Sequence, residues 1–512
     1  MTKKIQRIVV LLLTAAFLFT MTACSTTTST ADTDSDSDTT TAESISDLTD
    51  ITIHEASVTL SDEDWQATLD DPTAETFYEA SITYDGTTLD DVAFRTKGNS
   101  TLTSVASSDS ERYSFKIKTD KYVDDQLLDG TNEFVLNNMY ADPSYLREYI
   151  TYSASDYLGL ITPDTEFVEL TINGEDYGLY LYVESYDDTF VEDNSDSDDT
   201  QLYKADGENC TLKTEDGTTG FELQYGDDED LANLQTLIDT LDTASADNMT
   251  ELESLLDVDS VLKWTALNYT LGSYDSYIGS KAHNYYLLYT DGQFEMVGWD
   301  YNMSFGGFAE DQGSSLSISA EDVYLGTTAE DRPLVSKLLE VDEYKTQYLA
   351  YVEELETWLA DYDTALPAMA DAISTNVEND PTAFYTSDQF WSNINGTDMT
   401  IDDVTSVSGM TGSMPSAMDD SAAAAEGMPA MDEAAAAGGA AAAGGAPVMG
   451  EVPTDEEAAA AAEAGELPEM DEEAAAGGAA AMGGQMQGQI GGMSISQDTI
   501  SINDYIRLRL EN

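Results

Sequence analysis

Residues 298–306 read GWDYNMSFG and follow directly on the second strand of a predicted hairpin at residues 285–299. Asp300 therefore stands at a strand exit beside a glycine-rich turn, and Asp275 and Asn284 precede the same hairpin. Acids held at strand exits suit a hard cation such as Mg²⁺, which takes oxygen ligands. The alternative is that these Asp and Asn residues only form turns and cap loops.

Towards the N-terminus, residues 94–101 (FRTKGNST) and 114–118 (SFKIK) are rich in basic residues, although the chain has only 19 Lys and Arg residues. Four basic residues lie close together there: Arg95, Lys97, Lys116 and Lys118. The cluster predicts an anion site, to which backbone amides near Gly98 could add donors. Any one of these lysines alone would more often decorate a solvated strand face.

Two acidic residues between these segments are candidate partners for a lysine. Glu148 ends the segment DPSYLRE at 142–148, and Glu184 ends a hairpin, INGEDYGLYLYVE at 172–184. Each acid alone would more often be a surface charge.

Patterns of apolar residues predict strands first and helices later, which is an α+β arrangement with two lobes. The predicted hairpins turn at three Asx-Gly pairs: Asp85-Gly86, Asn173-Gly174 and Asp291-Gly292. The predicted helices cover residues 144–158, 231–241, 249–271, 334–359 and 365–377.

The candidate residues and elements follow the order found in protein kinases. This order is a strand lysine, a helix glutamate, a hairpin, helices, an Asp, an Asn, a second hairpin and another Asp near glycine. Two features depart from ordinary kinases. Asn284 is nine positions after Asp275 rather than five, and no GxGxxG loop precedes Lys116.

The chain resembles the spore-coat-H (CotH) family of atypical protein kinases. The resemblance lies in six segments in the same order, namely FRTKGNST, SFKIK, DPSYLRE, INGEDYGLYLYVE, HNYYLLY and GWDYNMSFG, and continues through LVSKLLEVDEYKTQYL at 334–349. It implies a two-lobed kinase-like fold without the glycine loop, ATP and Mg²⁺ as cofactors, and phosphate transfer to Ser or Thr of a protein acceptor.

The resemblance also implies roles for the acids and amides. Asp300 would hold the metal, with help from Asn284, and Asp275 would orient or deprotonate the acceptor hydroxyl. Members of the family often carry a second acid two places after the metal-binding Asp, where this chain has Asn302. This departure removes one negative charge from the expected metal site.

For the nucleotide, the resemblance implies that Lys116 meets the phosphates and that Glu148 or Glu184 holds this lysine. Arg95 and Lys97 are expected to complete the same phosphate-binding group.

Composition excludes several other classes of function. The net charge is −81, with 100 acidic residues, so the chain is not expected to bind nucleic acid, which needs clustered Lys and Arg. The two cysteines and two histidines exclude a cysteine-based zinc site or a histidine metal cluster. A Ser-His-Asp hydrolase would have to use His54 or His283, and no nucleophile motif accompanies His283.

The N-terminus resembles an export signal. Residues 1–23 combine basic residues with a short apolar run, and Cys24 follows at the position that a lipoprotein signal peptidase uses. We expect Cys24 to carry a lipid, residues 24–50 to be an acidic tether, and the protein to be extracytoplasmic, held to the membrane by its lipid alone. The alternative is an ordinary signal peptide with an unrelated cysteine.

The folded domain is expected at 51–395. Residues 396–492 are mostly Ala, Gly, Met and acid, with an imperfect repeat at 429–442 and 468–481, and are predicted to be disordered. Residues 493–512 regain large apolar side chains and are expected to dock on the domain.

A non-catalytic surface protein that uses the same fold for binding or adhesion is the main alternative to a kinase. The scarcity of ATP outside the membrane favours this alternative, whereas the joint presence of Lys116, Asp275, Asn284 and Asp300 favours the enzyme.

Overall fold

The computed structural model describes residues 42–207, 209–404 and 500–511. These residues belong to one compact unit. The expected signal peptide, Cys24 and the low-complexity stretch 405–492 lie outside the described residues. Within the described ranges, no helix is both long and apolar enough to cross a bilayer.

The first lobe is a closed seven-stranded barrel. Its strands are β1 (Ile53–Leu60), β2 (Tyr78–Tyr84), β3 (Thr87–Lys97), β4 (Ser114–Lys118), β5 (Glu133–Asn137), β6 (Thr165–Ile172) and β7 (Glu175–Glu184). The order is β1-β2-β3-β4-β5-β7-β6, and a parallel pairing of β6 with β1 closes the barrel. Alternate residues, among them Phe94, Phe115 and Phe134, fill its interior.

The second lobe combines a four-stranded sheet with most of the helices. The sheet order is β11-β10-β8-β9, with β8 at Gln201–Ala205, β9 at Phe221–Tyr225, β10 at Tyr285–Thr290 and β11 at Gln293–Gly298. The helices in chain order are α1 (Asp62–Asp70), α2 (Ser100–Ala106), α3 (Arg147–Tyr157), α4 (Asp188–Asn194), α5 (Ala232–Thr243), α6 (Thr250–Leu255), α7 (Val258–Thr270), α8 (Pro333–Leu339), α9 (Asp342–Trp358), α10 (Tyr362–Asn379), α11 (Ser387–Asn395) and α12 (Ile502–Glu511).

The α+β, two-lobed prediction is confirmed, and all three hairpins turn at the predicted Asx-Gly pairs. The predicted helices at 249–271 and 334–359 are each two helices. Leu256 forms a bridge with Phe294 of β11, and Asp257 caps α7 by accepting from the Ser260 amide at 3.2 Å. A local sheet contact therefore interrupts a continuous helical pattern.

The ordered fold extends beyond 51–395 at both ends. Ile45–Thr49 form a 3₁₀ turn whose Ile45 and Leu48 are buried. Residues 397 and 399 hydrogen-bond to α12, since the Thr397 amide donates to Asp504 and Arg507 donates to the Met399 carbonyl. Parts of the stretches that we assigned to the tether and to the low-complexity segment thus pack with the domain.

Candidate active site

Lys97 is the last residue of β3, and an asparagine connects it to the first turn of α3. Lys97 Nζ donates to Asn137 Oδ1 at 2.9 Å, and Asn137 Nδ2 donates to Glu148 Oε2 at 3.0 Å. The side chain of Glu148 is buried, with 3% of the residue exposed. The end of the barrel and the start of α3 therefore hold a lysine and a glutamate beside one another.

Strand register explains why Lys97 rather than Lys116 occupies this place. Lys97 lies opposite Ser114 at the end of the β3–β4 ladder, whereas Lys116 lies opposite Arg95, two residues further from that end. Lys116 Nζ is bound to Glu133 at 2.5 Å. The structure thus puts Lys97 where the sequence analysis expected Lys116.

Asp300 lies two residues after the end of β11, and its charge interacts with that of Lys97. Its backbone has a left-handed φ of 58°, and its N–H donates to the Tyr152 hydroxyl on α3 at 3.2 Å. A non-glycine residue in this conformation is uncommon and is held by its surroundings. Burial raises the pKa of Asp300, against the opposing effect of Lys97.

Lys97, Glu148 and Asp300 shift one another's pKa values through their charges. Burial first, and then the charge of Asp300, raise the pKa of Glu148 to about 8. Burial lowers the pKa of Lys97, which Asp300 and Glu148 oppose. A lysine and two carboxyls that perturb one another in this way are a candidate functional site.

Asp275, His283 and Asn284 form a second group next to Asp300. His283 Nε2 lies 2.6 Å from Asp275 Oδ1, and Asn284 Nδ2 donates to the Asp275 carbonyl at 2.9 Å and to its Oδ2 at 3.3 Å. Burial would lower the pKa of His283, but its hydrogen bond and charge interaction with Asp275 outweigh burial and raise it. The structure therefore brings Asp275, Asn284 and Asp300 together, as the sequence predicted.

Other predicted residues lie apart from this cluster. Arg95 pairs with Glu75, and Lys118 lies 3.5 Å from Asp120 and 3.7 Å from Glu133. Glu184 accepts from the Thr131 hydroxyl and from the Asp164 amide, each at 3.2 Å. Asn302 is half-buried in the turn that follows Asp300.

Three residues near the candidate site were not predicted from the sequence. Asn137 hydrogen-bonds to both Lys97 and Glu148. The charge of Lys204, on β8, lowers the pKa values of both Lys97 and Asp300. His283 pairs with Asp275. His283 stands next to Asn284 in a recognised motif, which was an available signal. Asn137 and Lys204 carry no local signal, because strand pairing alone brings them to the site.

The donor set fits a magnesium ion shared with a substrate. Among residues 42–207, 209–404 and 500–511, no group of three or more His, Cys, Asp or Glu side chains is arranged to hold a metal. Mg²⁺ is usually bound by one or two carboxylates together with waters and substrate phosphates. Asp300 and the amide oxygen of Asn284 would supply the protein's share.

Known proteins similar to the chain include a spore coat protein and a solved toxin–antitoxin complex. The inner spore coat protein H of Bacillus subtilis (strain 168) is 28% identical over 237 residues, which is 44% of this chain and 62% of that protein. The chain thus spans less than two thirds of this relative's length. A solved complex of HipA, HipB and operator DNA from a Shewanella oneidensis MR-1 toxin–antitoxin system aligns with 11% identity and a TM-score of 0.23, over 54% of this chain and 56% of that one.

The sequence also matches a protein family described as CotH kinase protein. The match runs from residue 94 to residue 405, from the strand that carries Lys97 to the region after α11. It includes Glu148, Asp275 and Asp300, and it covers more than half of the chain. This chain belongs to the CotH kinase family.

Proposed function

We propose that this chain transfers a phosphoryl group from Mg-ATP to a Ser or Thr hydroxyl of a protein acceptor. The observation that carries the proposal is the convergence of Lys97, Glu148 and Asp300, from three separate elements, beside the Asp275–His283 pair. Phosphoryl transfer depends mainly on positioning and on charge stabilisation, which such a cluster supplies.

Lys97 is the residue that we assign to the nucleotide phosphates. Asn137 and Glu148 fix its position, and Lys116 and Lys204 lie close enough to influence its charge. The positive charges of these lysines would favour binding of the nucleotide phosphates.

Asp300 and Asn284 are the residues that would hold the magnesium ion. When bound, the ion neutralises the charge that develops on the phosphates. Asn302 lies two residues after Asp300, and its amide would offer the ion an oxygen that carries no charge.

Asp275 is the residue that we assign to the acceptor hydroxyl. Its Oδ1 is bound to His283, and its Oδ2 accepts weakly from Asn284 at 3.3 Å. A carboxylate fixed in this way orients a hydroxyl and accepts its proton.

The proposal is tested with purified protein, ATP labelled at the γ-phosphate and a panel of candidate acceptor proteins. Asp300→Asn should lower transfer on the order of 10³-fold, because it removes charge where the transition state needs it. Asp275→Asn should lower transfer but leave Mg-ATP binding intact, and Asn302→Asp should keep or raise activity.

Absence of transfer by the wild-type chain, together with absence of Mg-ATP binding, would favour the alternative of a non-catalytic binding protein. Transfer that persists in Asp300→Asn would refute the assignment of this residue.

For location, we propose the outer surface of the membrane, with the lipid on Cys24 as the anchor. The support is the signal-like sequence of residues 1–24 and the similarity to a spore coat protein. Cys24→Ser should release the protein from the membrane fraction, and unchanged retention with an unchanged N-terminal peptide mass would contradict the proposal.

A further inference from the structure

The C-terminal helix α12 packs against the two loops that carry Asp275 and Asp300. This helix falls outside the matched family region. Its Tyr505 is fully buried. The Tyr505 hydroxyl lies 3.1 Å from Ser315 Oγ and accepts from Arg509 Nη2 at 2.8 Å, and its ring packs edge-on against Phe305. One aromatic side chain thus contacts the segment that follows Asp300.

The same ring touches the loop that precedes Asp275. Gly272 and Gly306 both have left-handed φ angles, 58° and 70°. A Cβ atom on Gly272 would lie 2.1 Å from the Tyr505 hydroxyl oxygen, and one on Gly306 would lie 3.0 Å from Tyr505 Cδ2 and from Ile500 Cγ2. Tyr505 therefore fills the space between the two loops, and only glycine fits where they approach it.

The two loops are also joined to each other by backbone hydrogen bonds. The Phe305 amide donates to the Leu271 carbonyl at 2.5 Å, and the Gly306 amide donates to the Gly272 carbonyl at 3.3 Å. These bonds lie three to four residues before Asp275 and five to six residues after Asp300. A side chain that stabilises these two hydrogen bonds therefore also constrains the position of Asp275 relative to Asp300.

Arg147 connects the same C-terminal segment to α3. Its Nε donates to the Ser304 carbonyl at 3.0 Å, its Nη2 donates to the Ile500 carbonyl at 2.9 Å, and its Nη1 pairs with Asp142 at 2.6 Å. The next residue in the chain is Glu148. A fully buried guanidinium thus ties the C-terminal segment to the Asp300 loop and to the helix that holds Glu148.

We propose that residues 500–511 are a positioning element of the active site, in which Tyr505 fixes the Asp275 and Asp300 loops relative to each other. The role in catalysis rests on the proposed phosphoryl transfer. The positioning itself does not, because it concerns the backbone of two loops. Tyr505 is accordingly a positioning residue that acts through the backbone of both loops.

The test compares Tyr505→Leu with Tyr348→Leu in the full-length chain. Tyr348 is also fully buried in the second lobe, and it packs on Tyr269 of α7. Amide hydrogen exchange reports local opening without any substrate. In Tyr505→Leu, exchange at Phe305 and Gly306 should become about tenfold faster or more, with exchange in β3, β4 and β5 unchanged.

Transfer activity is the second measurement. Tyr505→Leu should lower kcat more than it changes the KM for ATP, and Tyr505→Phe, which keeps the ring, should restore most of kcat. If Tyr505→Leu does not fold, Ile500→Ala is a milder truncation at the same contact, and it should accelerate exchange at the same two amides.

Unchanged exchange at Phe305 and Gly306 in the folded variant, or an equal increase in Tyr348→Leu, would overturn the proposal. A wild-type chain without transferase activity would refute the proposed function instead, and the exchange result would still decide whether the C-terminal segment positions the loops.

Discussion

Glu148 is the residue at which burial and charge act together most clearly. Its carboxyl is almost fully buried, it accepts from Asn137, and it shares its surroundings with Asp300 and Lys97. Desolvation penalises the ionised form, so the pKa of Glu148 rises to about 8. In the free protein at neutral pH, Glu148 therefore carries a proton for most of the time.

This raised pKa predicts how stability depends on pH. Between the ordinary pKa of 4.5 and about 8, the folded chain holds a proton on Glu148 that the unfolded chain has lost. The free energy of unfolding should therefore fall as the pH rises through this window, with a contribution of up to about 1.4 kcal/mol per pH unit. Glu148→Gln should flatten the slope in urea unfolding at pH 5 to 8.

The exposed Glu343→Gln is the matched control and should leave the slope as in wild type. Equal slopes in wild type and Glu148→Gln would contradict the burial of an uncharged carboxyl at this position.

At the residue scale, the sequence identified Asp275, Asn284, Asp300 and Glu148 correctly as neighbours but did not rank Lys97 above Lys116. Lys116 lies between the apolar residues Phe115 and Ile117, whereas Lys97 lies between Thr96 and Gly98, so the local pattern favours Lys116. Only the β3–β4 register, which puts Lys97 at the end of the ladder, favours Lys97.

At the scale of elements, Arg112 links the barrel to the end of α10. Arg112 and Asp380 form an ion pair of 2.8 Å, and both side chains are fully buried. Arg112 also donates to the carbonyls of Asn138 and Tyr177, and Asp380 accepts from the Leu179 amide at 3.1 Å. One ion pair thus joins strand β7, the segment before β4 and the C-terminal end of α10.

Arg112→Met should lower the free energy of unfolding by about 3–5 kcal/mol, because it leaves Asp380 buried without a counter-charge. Chemical denaturation measures the loss. Adding Asp380→Asn in the same chain should recover part of this loss, since it removes the uncompensated charge. A loss below about 1 kcal/mol in the single variant would show that water reaches Asp380.

Hairpins were predictable because their turns are local. Asp85-Gly86, Asn173-Gly174 and Asp291-Gly292 each adopt the left-handed conformations that a two-residue turn requires. Closure of the barrel was not predictable, because the parallel pairing of β1 with β6 joins residues more than a hundred positions apart. The short strands β5, β8 and β9 were also not predicted, because pairing with neighbouring strands defines them and their own residue patterns do not.

At the scale of the whole molecule, the charge of the chain opposes the binding of a nucleotide. The net charge is −81, and the phosphates of ATP are also negative. Repulsion from distant surface acids is screened over about 8 Å at physiological ionic strength, whereas the lysines at the site act at contact. Binding of Mg-ATP should therefore depend on a few local cations, with Lys97 first among them.

The most direct measurement is a calorimetric titration of Mg-ATP into the full-length chain and into two lysine variants. The account predicts that wild type binds one Mg-ATP per chain, that Lys97→Met weakens binding at least about tenfold, or about 1.4 kcal/mol, and that Lys116→Met weakens it less. Lack of binding by wild type, or equal binding by wild type and Lys97→Met, would contradict the account.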